Sequence, residues 1–175
     1  MTDILVERHW DQALSDADLQ AALASAGECL GIHRVNWHSS RLSADGHELF
    51  CHFSAADAES VRIALSQSGS PRGQVWAGTV HDAPGVADAD LARVNVLACR
   101  RFDSPTSFEA ADTPEQAGAS CLLTHRVTRV RSYLSADRKR MVSLYQAPDA
   151  ESVRLALQAA GVAAERVWAF RQFRP

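Results

Sequence analysis

Side chains able to do chemistry are spread unevenly along this chain. Six of its seven histidines, His9, His33, His38, His47, His52 and His81, fall in the first half. His38 and His52 flank Ala44-Asp45-Gly46, between two stretches that read as paired strands. With a three-residue loop they sit directly across from each other. Cross-strand neighbours bring Cβ atoms within about 5 Å, close enough for two imidazoles to share a transition metal. No HxH, HExxH or Cys/His spacing accompanies them, so histidines satisfied by hydrogen bonds are the alternative reading. A second set comprises Glu7, His9, Trp37 and Cys51. Carboxylate, thiolate and imidazole make a metal set, which adds His9 and Cys51 to the candidate ligands. Equally, Glu7 and Cys51 form a base and nucleophile, the catalytic candidates, or part of a polar network. The second half offers Arg129, Arg131, Tyr133 and Tyr145, plus Arg101. Two arginines at alternating strand positions beside tyrosines can grip the carboxylate or phosphate of a small ligand, with Glu7 and Trp37 in the same binding set. They could instead form a structural ion pair with Glu7. Cys29 and Cys121 read as small core residues, Trp76 and Trp168 as packing. No nucleophile elbow or phosphate-binding glycine loop is present.

These residues must be positioned by short, regular elements. Asp3 to His9 and Asn95 to Arg101 are rich in β-formers and predict strands. Ile4 and Val6, like Val96 and Ala98, mark one face; Leu5 and Glu7, like Leu97 and Cys99, mark the other. Ser15, with Asp18 three residues on, predicts a capped helix whose apolar face carries Leu19, Ala22, Leu23, Ala26 and Leu30 and which Gly31 closes. The matching helix of the second half, Thr113 to Leu123, begins at Thr113-Pro114, where proline suits a first helical position, and contains Gly118. Next comes a hairpin over 33–42 and 47–53, around a three-residue loop or an Asp-Gly turn; a slip of one residue between these exchanges the faces. Asp57 and Asp149 open further helices that end at Gly69 and Gly161. Final strands cover Gln74 to Val80 and Arg166 to Phe173.

The same pattern occurs twice. His33 to Gly69 overlies His125 to Gly161 without a gap, Asp45 on Asp137, which is an offset of 92. Roughly half of those residues are identical, judged by aligning the two stretches at a single period. Each half reads β-α-β-β-α-β, the ferredoxin-like pattern. Residues 1–82 form repeat one, 83–93 a linker with a short helical turn, and 94–175 repeat two. Such a unit covers one sheet face with its helices and leaves the other bare, so two sheets facing each other are expected. The predicted fold is an α+β barrel built as an intrachain pseudo-dimer.

Composition narrows the partners. The 175 residues are 46% hydrophobic and 22% charged, with a net charge of −3. That is ordinary for a soluble globular protein. No basic run or stripe exists for a nucleic acid. No stretch is apolar enough to cross a bilayer, and the first residues do not read as a signal peptide. Four cysteines at wide spacing, without CxxC, fit reduced thiols in a cytoplasm.

Several motifs resemble a known family: LVER at Leu5 to Arg8, Val35-x-Trp37-x-x-Ser40, Cys51, AxDAESVR at Ala55 to Arg62, and Gly69 followed by Val75. The second copy matches at Ser132-Tyr133 and Tyr145 to Asp149. The chain is similar to tandem copies of the ferredoxin-like domain of unknown function 4242, some members of which are nickel-binding or nickel-responsive. That resemblance implies a small-ligand or nickel-like transition-metal binding protein; the cofactor expected is a transition metal, nickel, copper or zinc, or else none, and a homodimer is an admissible assembly. The chain departs from the family where the second helix usually carries a histidine after its Val-Arg pair; here stand Ile63-Ala64 and Leu155-Ala156. An enzyme of the dimeric α+β barrel type, acting on a small organic molecule, is the alternative. A purely structural or partner-binding module is a third.

Overall fold

A computed structural model describes all residues, Met1–Pro175. In chain order the elements are β1 (Thr2–His9), α1 (Asp16–Ile32), β2 (Asn36–Ser43), β3 (Glu48–Ala55), α2 (Ala58–Gln67), β4 (Gln74–Asp82), α3 (Asp88–Leu91), β5 (Val96–Arg101), α4 (Phe108–Ala117), α5 (Ala119–Thr124), β6 (Thr128–Ser135), β7 (Arg140–Gln146), α6 (Ala150–Ala159) and β8 (Arg166–Phe173). The chain is α+β, and its sheet pairings are antiparallel. It divides into two compact units, Met1–Gly78 with Arg171–Pro175, and Thr79–Phe170. No helix is long and apolar enough to cross a membrane.

In the first unit β1 is central, flanked by β3 and β4, and β2 lies outside β3. One sheet face, with Ile4, Val6, Cys51 and Phe53, is buried under Leu19, Ala26 and Leu30 of α1 and Val61, Ala64 and Leu65 of α2. Burying each large aliphatic side chain contributes about 1.5–3 kcal/mol, which outweighs helix propensity in holding α1 and α2 down. In the second unit β5 is flanked by β7 and β8, with β6 outside β7. Val96, Ala98 and Tyr145 there meet Leu122 of α5 and Val153, Ala156 and Leu157 of α6.

The shared residues act as scaffold. Asp57 and Asp149 accept the backbone N–H of Ser60 and Ser152 at 2.8 and 2.7 Å, the N-cap bond that satisfies an orphan donor of the first turn. Ser15 caps α1 as expected, and Asp18 completes a capping box with it. In the hairpins, Ser43 donates to Asp45 at 2.5 Å and Ser135 to Asp137 at 2.6 Å. Those bonds explain why Ser-Ala-Asp occurs in both copies.

Three sequence expectations are corrected. The hairpin loop spans four residues, 44–47, with Leu42 opposite Leu49. The first helix does not close at Gly31 but runs through Ile32, and the left-handed residue beyond it is Arg34 (φ 53). The matching helix of the second half starts at Phe108, capped by Ser107, so Pro114 lies inside it. Gly118 then separates α4 from α5: a Cβ there would lie 2.4 Å from that of Ala160. Close packing against α6 therefore requires a residue without a side chain.

Candidate functional site

His38 and His52 lie side by side, with ring centroids 4.7 Å apart. They arrive there by a route the sequence does not spell out. The four-residue loop pairs Arg41 with Phe50 and Ser39 with His52; beyond a register shift, Trp37 faces Phe53. His38 is therefore the extra residue of a β-bulge, which re-aims a side chain while restoring the outer register. Exposed His38 bonds Ser54 Oγ through Nε2 at 2.9 Å. His52 is 5% exposed and bonds Asp3 Oδ1 through Nε2 at 2.7 Å. Burial pushes the His52 pKa down to about 4, against the opposing pull of Asp3. The ring is therefore neutral at pH 7, the form that ligates metals. Asp3 was missed in the sequence; its signal was the β1–β3 pairing, which sets it diagonal to His52 on the face of Leu5 and His52.

The Glu7–Cys51 pairing does not form. Val6 is opposite Cys51 and Glu7 opposite Phe50, which puts the two groups on opposite sheet faces. Glu7 instead accepts the indole N–H of Trp76 at 2.8 Å. Cys51, 1% exposed, shares a hydrogen bond of 2.9 Å with Ser40, which accepts from Trp37 Nε1 at 3.0 Å. Burial pushes the Cys51 thiol pKa up, against the field of Arg8 and the Ser40 bond. The thiolate a nucleophile needs is thereby disfavoured. His9 is turned to Glu48, 3.1 Å away, and stacks on His47 at 6.3 Å, apart from the His38–His52 pair.

In the second unit the expected Arg/Tyr group is divided. A bulge at Val130 repeats that at His38, so Arg129 faces Tyr145 while Arg131 faces Leu144. Arg129 is directed under α4, where it pairs with Asp112 and approaches Glu115 at 3.5 Å. Tyr145 donates to Glu115 at 2.8 Å. Burial raises the pKa of Glu115 despite Arg129, and burial with Glu115 beside it raises that of Tyr145. Burial opposes the Arg129 charge, but Asp112 and Glu115 more than offset it. Arg131 and Tyr133 belong to the other face, where Arg131 holds Asp82 in a fork at 2.5 and 2.8 Å. Asp112 escapes the sequence reading because a helix begun at Thr113 leaves it outside; Glu115 lies within that helix, and only the packing of α4 over Arg129 and Tyr145 marks it.

Comparison with known proteins supplies the assignment. The model of the family described as nickel responsive protein SCO4226-like matches residues 5–77 and again 97–169. The chain belongs to the nickel-responsive SCO4226-like family. Both matched segments are displaced by 92 positions (97 − 5 and 169 − 77), the period of the internal duplication. SCO4226 from Streptomyces coelicolor A3(2) is similar at 16% identity over 42% of this chain and 90% of its own, with a TM-score of 0.38. TA0507, provisionally assigned as a chlorite dismutase, covers 99% of this chain and 94% of its own at 13% identity, with a TM-score of 0.52. At that identity the likeness extends to the fold alone. A monooxygenase candidate from Lactobacillus acidophilus NCFM covers 98% of this chain and 94% of its own at 6% identity, with a TM-score of 0.48. No curated protein matches the chain.

For a nickel-responsive SCO4226-like protein the donor set must be tested against a metal. Neutral imidazole is a suitable ligand for nickel, copper and zinc. The His38–His52 pair offers two such donors, with Asp3 on the second ring. No group of three or more His, Cys, Asp or Glu is placed to hold a metal. The residues therefore make two adjacent imidazoles, each with its Nε2 engaged by Ser54 or Asp3, and not a complete metal centre.

Proposed function

We propose that this member of the nickel-responsive SCO4226-like family is a binding protein for a transition metal or small ligand, with an asymmetric site at His38 and His52. One observation supports the reading: two imidazole rings stand 4.7 Å apart, where the second copy has Val130 and Leu144. Asp3 would orient the His52 ring, as a carboxylate behind a ligating histidine commonly does. In this reading each repeat is ferredoxin-like, residues 1–82 and 94–175 about a linker at 83–93, and the two form a pseudo-dimeric α+β barrel. The four free cysteines suit a reducing cytoplasm. Neither nucleic acid nor membrane is a partner in this reading, and a homodimer is compatible with it.

The test is calorimetric titration of nickel, copper and zinc into protein purified without a His tag, against a His38→Ala/His52→Ala variant. Binding by wild type that the double variant loses supports the site. Equal uptake by both overturns it. Glu7 favours the second reading, an enzyme acting on a small organic molecule, since a carboxylate positioned by Trp76 could serve as a general base. A co-purifying organic molecule seated against Glu7 would select that reading.

A further inference from the structure

We propose that the first unit carries, on its helix-covered side, a cleft for a small organic acid, a single carboxylate on an apolar body. The cleft has a volume of about 530 Å³ and is lined by residues of α2, the segment leading into β4, and β1. Val6, Ile63, Leu65, Pro71 and Val75 supply apolar wall, and Arg8, Arg62 and Arg72 supply charge.

Arg8 carries the argument. Its Nε is fully buried and has no hydrogen-bond acceptor. The ionisable neighbour that favours its charge is Cys51, whose own burial keeps the thiol protonated. Arg8 is half-buried with its Nε fully so, and a guanidinium partly withdrawn from water without an anion beside it is receptive to a carboxylate. Arg62 is already matched: it donates to Glu59 Oε2 and to the Val75 carbonyl, each at 3.1 Å. Exposed Arg72 lines the same cleft. The chain passes close over Arg8 at Gly73, where a Cβ would lie 2.7 Å from Arg8 Cγ.

Duplication provides an internal control. A cleft of about 500 Å³ occupies the matching place in the second unit, lined by Arg154, Leu157, Val162, Ala164, Glu165 and Val167 among others. Arg154 repeats the bonds of Arg62, to Glu151 at 3.1 Å and the Val167 carbonyl at 2.7 Å. The other charges are changed or differently surrounded. Ala164 replaces Arg72, and Glu165 replaces Gly73 and bonds Arg101 at 2.8 Å. Arg100, in the place of Arg8, likewise has a buried Nε without an acceptor, but its Nη1 donates to the Ala111 carbonyl at 2.8 Å and the carboxylates of Glu115 and Asp112 favour its charge. The same backbone shape thus occurs with and without surplus positive charge. Apolar walls around two unmatched guanidiniums favour an amphiphilic monoanion over a fully hydrated phosphate. This site is independent of the histidine pair.

The test is a two-dimensional proton–nitrogen NMR titration of the full chain with sodium octanoate, and separately with inorganic phosphate. Octanoate is expected to shift amides across residues 63–75 and leave 155–167 unmoved. Arg8→Gln and Arg72→Ala should each weaken binding roughly tenfold. Arg72→Ala changes an exposed residue and keeps the test sound if Arg8→Gln does not fold. Equal shifts in both clefts, no shift at millimolar octanoate, or undiminished binding in Arg72→Ala would overturn the proposal. Phosphate acting on the first cleft as strongly as octanoate would overturn the organic-acid assignment.

Discussion

Arg129 and Arg131 stand two residues apart on β6, yet Arg129 pairs with Asp112 of α4 and Arg131 with Asp82, on opposite faces of one sheet. Alternation would place them on the same face. The bulge at Val130 adds one residue, and one residue is a complete exchange of faces.

The two ion pairs should differ in their contribution to stability. Asp112 and Glu115 side chains are 5% and 3% exposed beside Arg129. Removing one partner of a buried pair strands the other charge, so Arg129→Met should cost about 3–5 kcal/mol in urea unfolding. The Asp82 side chain is 41% exposed, and solvent screens its pairing. Arg131→Met should cost no more than about 1 kcal/mol. Equal losses would contradict the division of β6.

His52 makes stability depend on pH. Its folded pKa is depressed from 6.5 to about 4, so the unfolded chain binds the proton more readily. The stability is present above pH 6.5 and lost as pH falls toward 4, a change of about 3 kcal/mol. Glu115, with its pKa raised by burial, works in the opposite sense above the usual carboxylate range. The informative quantity is therefore the difference between wild type and His52→Leu, the residue type of the second copy. Wild type should lose more stability than the variant between pH 7 and pH 4, by chemical denaturation at each pH. Parallel curves would exclude the role of His52.

Thiol reactivity should separate the four free cysteines into two classes. Cys51 and Cys99 are 1% and 4% exposed, whereas Cys29 and Cys121 are half-buried. Accessibility and thiolate fraction set the rate. An aromatic disulfide reagent at pH 8 should label Cys29 and Cys121 first under native conditions, followed by mass spectrometry of the peptides. Rapid labelling of Cys51 would revive it as a nucleophile.

Gly118→Ala should destabilise the second unit by about 1–3 kcal/mol, the usual cost of forcing a methyl into a filled space. The added Cβ would sit 2.4 Å from Ala160 Cβ and 2.9 Å from its Cα, so the neighbouring helix must move. Gly27→Ala is the control, since nothing lies within 4 Å of a Cβ there. In that exposed helix position alanine should be neutral or stabilising. Thermal unfolding of both variants checks the contrast.

Much of the architecture was legible because it rests on local chemistry repeated at one period. Asp57 and Asp149 cap helices through their own third residue, and Ser43-Ala44-Asp45 bonds itself into a turn. Ile4 and Val6 share a face by simple alternation. The candidate site was legible as composition, the excess of histidines in the first half against Val130 and Leu144 in the second, and as the expected nearness of His38 to His52, although on a three-residue loop that the structure does not have.

Contacts between distant residues escaped it. Whether Glu7 meets Cys51 depends on the β1–β3 register, and Val6 holds that place. The loop length and bulge that bring His38 beside His52 act together: four loop residues shift the register by one, and the bulge shifts it back beyond His38. Either alone would leave the rings on different faces. Arg8 and Arg100 occupy equivalent positions on equivalent strands, and only their surroundings differ: Arg100 has the carboxylates of Glu115 and Asp112 nearby, whereas Arg8 has the Cys51 thiol. Periodicity, capping and duplication are properties of neighbouring residues, so the sequence by itself determined two β-α-β-β-α-β copies and their scaffold. Faces, partners and buried charge depend on groups brought together across the sheet, and only the tertiary structure decided them.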